Sequence, residues 1–148
     1  FLQRSLLANT QTALLGILIA SIWASIGFFF VIFLAGLQNV DQDLVDASKV
    51  DGANRLQQFR FVIIPQLSHV ITMVIALGMI NSLKVFDIVW AMTEGGPANS
   101  SDLLGTYAYR EAFKLQHQGY GSAIVIVTSA LAVTLSVIFI KIRERREG

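Results

Sequence analysis

From Ala13 to Leu37 the chain reads ALLGILIASIWASIGFFFVIFLAGL, 25 residues without a charge. In a helix rising ~1.5 Å per residue, such a run reaches roughly 37 Å, more than the ~30 Å of hydrocarbon in a bilayer. It therefore spans a membrane, tilted or protruding at one end. Gly16, Ser21, Ser25, Gly27 and Gly36 lie along it, and small residues let helix backbones approach where no hydrophobic force drives association. Part of its surface is expected to meet protein.

Composition extends the same reading to the whole chain. Apolar residues make up 54% and charged residues only 14%, too little polar surface for a water-soluble domain of this size. A third span, Gly121 to Ile140, is also free of charge. The second, from about Leu67 to Trp90, is interrupted by Lys84 and Asp87. If the helix is continuous these two share a face. They then form either an interfacial ion pair, near the expected level of Trp90, or charged elements of a transport pathway. The fold class is an all-α membrane protein with three transmembrane helices.

Orientation follows from the flanks. Lys49, Arg55 and Arg60 between the first two spans, with Lys141, Arg143, Arg145 and Arg146 after the third, hold seven of the 11 Lys and Arg. Both stretches lie on one side of a three-span arrangement, so the positive-inside rule places them in the cytoplasm. The loop Thr93 to Gly119 then faces outwards. Phe1-Leu2-Gln3-Arg4 leads almost straight into the first helix, without the cleavage pattern of a signal peptide. The chain is expected to be the C-terminal portion of a longer protein. Cysteine is absent, which excludes thiolate metal sites and cysteine nucleophiles.

Between the first two spans, Asp41 to Pro65 reads as two short amphipathic helices. Asp43 is expected to cap the first, with Asp46 in its first turn where the helix dipole favours a carboxylate. Gly52 is a natural stop, because glycine takes a left-handed conformation without steric cost. Asn54 with Gln57 has the spacing of a capping box for the second helix, and Pro65 is expected to break that helix at the next span. These helices carry too little apolar surface for a core of their own. They lie on lipid, pack under their own spans, or insert into a partner; an ordinary connecting loop is the plainer alternative.

Asp46-Ala47-Ser48, Gly52, nine intervening residues and then Val62-Ile63-Ile64-Pro65 resemble the signature loop of binding-protein-dependent ABC importer permeases. In that loop Glu-Ala-Ala is followed by a glycine, nine residues and Ile-x-Leu-Pro. Here Asp replaces Glu, Ser the second Ala, Val the Ile and Ile the Leu. Leu34-Ala35-Gly36-Leu37-Gln38, Asn81 to Asp87, Met92-Thr93-Glu94-Gly95-Gly96-Pro97 and Tyr107 to Phe113 are similar to stretches of the carbohydrate-uptake branch of the family.

The resemblance implies the C-terminal half of a six-helix type I importer permease in the inner membrane. It implies no catalytic role and no cofactor for this chain, with ATP hydrolysis in a separate ATPase subunit. Asp46, Ala47, Ser48, Asp51, Gly52, Ala53 and Pro65 would couple to that ATPase. A second permease subunit and a periplasmic or lipid-anchored sugar-binding protein would be the other partners. It also implies a carbohydrate site on the spans flanking the loop, at Ser25 with Gly27 or Phe28, and at Gly78, Asn81, Ser82 and Val85. Asn81 and Ser82 have the chemistry to bond sugar hydroxyls, or equally to join helix to helix.

An ion-coupled secondary transporter or channel, with Lys84 and Asp87 as its charges, is the alternative from another class. Gly95-Gly96-Pro97 is not a phosphate loop, since neither Lys-Ser nor Lys-Thr follows it. His69 and His117 are too far apart in topology to suggest a metal site. Nucleic-acid binding has no support, because the basic residues belong to membrane flanks, where they also suit acidic lipid headgroups.

Overall fold

The computed structural model describes residues 6–147, with 144, 146 and 147 described by backbone only. Phe1 to Arg4 and the side chain of Arg146 lie outside the described residues. After a short 3-10 turn at Leu6–Ala8, α1 runs over Ala13–Gln38 and α2 over Gln42–Val50. Next come α3, Arg55–Gln66, and α4, Ser68–Lys84. Helix α5 covers Asp87–Thr93, and α6 covers Leu104–Tyr109, continued by a wide π turn at Arg110–Lys114. Helix α7, Gln118–Glu147, closes the described part. Helices α1 and α7 are long and apolar enough to cross a membrane, and the bent pair α3–α4 makes a third candidate.

Helix α1 buries little of itself: Trp23 is 78% exposed, and Leu18, Ile22, Phe28 and Phe30 are exposed with it. That apolar surface suits lipid or further protein. Where α1 does touch α4, it does so through glycine. A Cβ on Gly36 would lie 2.8 Å from Cγ2 of Val70 and 3.2 Å from Cδ2 of Leu67. Gly36→Val is expected to force these helices apart and cost about 1–3 kcal/mol, read as a lowered Tm in detergent. An unchanged Tm would refute the close packing.

The second span departs from a continuous helix over Leu67–Trp90 in two ways. At its base, α3 and α4 meet at 68°, and the corner is Leu67 rather than Pro65. Pro65 sits at the start of the last turn of α3, directly after a π turn at Phe59–Ile63. That widened turn absorbs the clash a proline ring makes with the carbonyl four residues back. Leu67 is buried with Val40 and Val45, and that anchoring sets the direction of α4. At the other end, Val85 is extended, with ψ of 125°, and the helix resumes only at Asp87.

Lys84 and Asp87 therefore fall on either side of a break instead of on one helix face. They form no ion pair with each other among the described residues. Tertiary contacts hold the break open. Gly105 packs so tightly that a Cβ there would lie 2.8 Å from the Val85 carbonyl oxygen. Phe86 stacks on Trp90 with ring centroids 5.6 Å apart and meets Tyr109 at a tilt, 5.2 Å away.

Candidate functional site

The segment between the first two spans is locked at each helix end by its own sequence. Asp41, not Asp43, is the N-cap of α2, and its carboxylate accepts the Asp43 N–H at 2.9 Å. Asp46 accordingly lies mid-helix, where its carboxylate pairs with Lys49 at 2.6 Å. The helix stops at Gly52, whose φ of +81° is left-handed. The Gly52 N–H donates to the Lys49 carbonyl at 3.0 Å and the Ala53 N–H to Ser48 at 2.9 Å, the paired bonds of a Schellman stop. Asn54 and Gln57 exchange bonds of 2.9 and 2.8 Å, so the expected capping box is formed.

These locks present a small, stiff surface. Ser48, Asp51, Gly52, Ala53, Gln57 and Phe61 line a groove of about 420 Å³. Val50 is 89% exposed and Leu56 75%, and nothing lies within 4 Å of a Cβ placed on Gly52. Opposite that face, Val45 turns inwards onto Val40 and Leu67. Of the residues singled out from the sequence, Asp46 through Ala53 sit on or beside this knob. Pro65 lies apart, at the base of the second span.

The residues expected on the two spans lie along α1 and along the C-terminal half of α4. Gly36 lies opposite Val70, and Phe29 approaches Gly78 with its Cζ 4.0 Å from a Cβ there. That antiparallel register sets Ser25, one turn beyond Phe29, level with Ser82. The Ser25 hydroxyl donates to Ile22 at 3.0 Å and the Ser82 hydroxyl to Met79 at 2.9 Å, both local bonds that leave oxygen lone pairs available. Gly27 has open space around it. Asn81 is exposed and its amide makes no hydrogen bond among the described residues. Val85 forms the break itself. Lys84 instead lines a separate cleft of about 840 Å³ with Leu83, Ala108, Phe113 and Val125.

Beyond the break, the hairpin from Glu94 to Lys114 is held by a polar knot that sequence reasoning did not single out. Arg110 bonds Asp102, and donates to Asn99 at 2.7 Å. Asp102 also accepts from the Thr106 hydroxyl at 2.5 Å. Buried Ser101 bonds Thr93 at 2.8 Å. Lys114 reaches Glu94 at 3.1 Å while lying 4.7 Å over the Trp90 ring. His117 meets Glu111 at 3.1 Å. The Tyr107 hydroxyl is pushed up to about 12 by its hydrogen bond with Tyr120, then by burial and by the charge of Glu111. Only the four-residue spacing of Asp102, Thr106 and Arg110 hinted at this knot, although Asp102 itself lies in the loop before the helix.

Residues 2–147 match the family model described as binding-protein-dependent transport system inner membrane component. The multiple sugar-binding transport system permease protein MsmF of Streptococcus mutans is 33% identical, over 99% of this chain and 51% of its own length. The trehalose/maltose transport system permease protein MalF of Thermococcus litoralis is 34% identical, over 95% of this chain and 48% of its own. The chain thus spans about half the length of these curated relatives. With a match along nearly all its residues, and helices that fit a membrane permease, the chain belongs to the family of binding-protein-dependent transport system inner membrane components.

Proposed function

We propose that this chain is part of the permease of an ATP-driven importer for a sugar or related carbohydrate, and that α2 with the Gly52 turn docks onto a separate ATPase subunit. The observation that carries the reading is the knob itself: a helix capped at both ends, seated on the bases of two spans, presenting Val50, Leu56 and an open glycine to solvent. A stiff element with different contacts in two states is what coupling requires. ATP-driven closure of the ATPase would move α2 and rock the attached spans between inward-facing and outward-facing arrangements. The basic flanks support a cytoplasmic α2 and a cytoplasmic C-terminus in the inner membrane.

The cargo site in this reading lies where α4 breaks. A helix ending at Lys84 leaves carbonyls of its last turn without intrahelical partners, and broken helices supply polar backbone to substrates within membranes. Asn81 and Ser82 add an amide and a hydroxyl, Ser25 faces them from α1, and Gly78 and Val85 shape the space. The relatives named for multiple sugars and for trehalose and maltose support a carbohydrate. A second permease subunit would complete the pathway, and a sugar-binding protein would dock on the outer hairpin.

The test is copurification of the full permease with its cognate ATPase, with crosslinking from Cys introduced at Val50. A crosslink to the ATPase and carbohydrate-stimulated ATP hydrolysis in liposomes are expected. Labelling of that cysteine from outside intact cells would sink the proposal. In the same system, Asn81→Leu should raise the KM for uptake about tenfold, the loss of roughly 1.4 kcal/mol expected for one hydrogen-bond donor and acceptor pair. An unchanged KM would remove Asn81 from the site.

A further inference from the structure

Gln66, the last residue of α3, belongs neither to the docking knob nor to the cargo site. Its amide oxygen accepts the backbone N–H of Asp41 at 2.8 Å, across 25 residues of chain. Asp41 is the residue that caps α2, and Gln66 directly precedes the Leu67 corner from which α4 rises. One side chain thus ties the start of the docking helix to the base of the second span. Its other end is costly to bury: Nε2 is shielded from solvent and has no hydrogen-bond partner. Turning the amide over would not help, because the Asp41 donor dictates which end is oxygen. Orphaned buried donors are rare, and a side chain kept in the junction despite one is held there by its oxygen.

The surroundings show what that bond adds. Val40, Val45 and Leu67 are buried together, with Val70 and Ile71 packed on them, and Gly36 closes the contact with α1. Apolar packing of this kind is non-directional: seating Leu67 on Val40 and Val45 fixes where α4 starts, but leaves α2 free to turn about that contact. A hydrogen bond constrains both distance and angle. Without it, a push on α2 is spent in rotation about the valine cluster; with it, the corner turns with the helix.

We infer that Gln66 is a positioning residue of the transport cycle, converting displacement of α2 into reorientation of the α3–α4 corner. The inference rests on the importer reading above and specifies how force leaves the docking helix. The test uses the full permease copurified with its ATPase in nanodiscs. The reporter is Cys introduced at Ser82, its labelling rate by a membrane-impermeant maleimide compared without nucleotide and after ATP–orthovanadate trapping. The 148 residues contain no cysteine of their own, so the reporter is unique within them.

In the otherwise native permease, trapping is expected to change the rate at least fivefold. Gln66→Met, which keeps the volume and loses the acceptor, should hydrolyse ATP within twofold of that parent but show less than a twofold change in labelling. Gln66→Glu keeps an oxygen at that position and should retain at least half of the parent response. A parental response in Gln66→Met, or equal loss in both variants, would overturn the inference. So would loss of ATP hydrolysis together with the response, which would make Gln66 a packing residue. Absence of any nucleotide effect in the parent would instead sink the importer reading itself.

Discussion

Gly52→Asp is expected to reduce carbohydrate uptake at least tenfold while leaving membrane insertion intact. The two effects separate because the site is open. With nothing within 4 Å of a Cβ at Gly52, a side chain there collides with no neighbour, and the cost to the fold is confined to the backbone. At φ of +81° that cost is about 1–2 kcal/mol, at the lower end for aspartate, too little to unfold a helix anchored by Val45, Val40 and Leu67. What changes is the surface offered to a partner: a bulky carboxylate next to Asp51 fills the point of closest approach. Gly52→Asn, which is neutral and tolerates the same backbone, should lose less. Uptake and ATP hydrolysis in parallel provide the measurement, and normal uptake by Gly52→Asp would refute docking at this turn.

Removing the cation from the polar knot around Asp102 should produce a large loss of stability. In Arg110→Met the side chain of Asp102, 11% exposed, loses its counter-ion and retains only the Thr106 hydroxyl as a side-chain partner among the described residues. Breaking a fully buried pair from one side costs about 3–5 kcal/mol, because the partner is left uncompensated; this part-buried pair, with Arg110 25% exposed, should lose less, about 2 kcal/mol. The hairpin from Glu94 to Lys114 should then open to protease added to right-side-out vesicles, while α1 and α7 stay protected. The double variant Arg110→Met with Asp102→Asn removes both charges and should recover a substantial part of the loss. A hairpin as resistant in Arg110→Met as in the parent would show that the knot contributes nothing.

This contrast in cause runs through the whole molecule. At Gly52 the structure follows from residues within a turn of it, and the stop, the capping box at Asn54 and Gln57, and the apolar lengths of α1 and α7 were all legible in the chain. The knot around Asp102 is assembled from a loop, a helix and a π turn, and only three of its residues have a telling spacing. Asp46 falls between the two cases. Its helix was evident, but its place within it depended on whether Asp41 or Asp43 took the cap, and both had the chemistry.

Sequence by itself determined the two unbroken apolar helices, the capped helix of the intervening loop and the glycine that ends it. Each of these is set by contacts within about four residues or by the thickness of a bilayer. Tertiary structure alone decided that the second span turns at Leu67 and opens at Val85, that Lys84 and Asp87 part company, that Gly36 seats α1 against Val70, and that Gln66 ties the start of α2 to the base of α4. Those outcomes balance a local helical preference against packing with residues far away in the chain. For Val85 the opposing weight comes from Gly105 and the rings of Trp90 and Tyr109, and for Leu67 from Val40 and Val45, partners that no periodicity identifies.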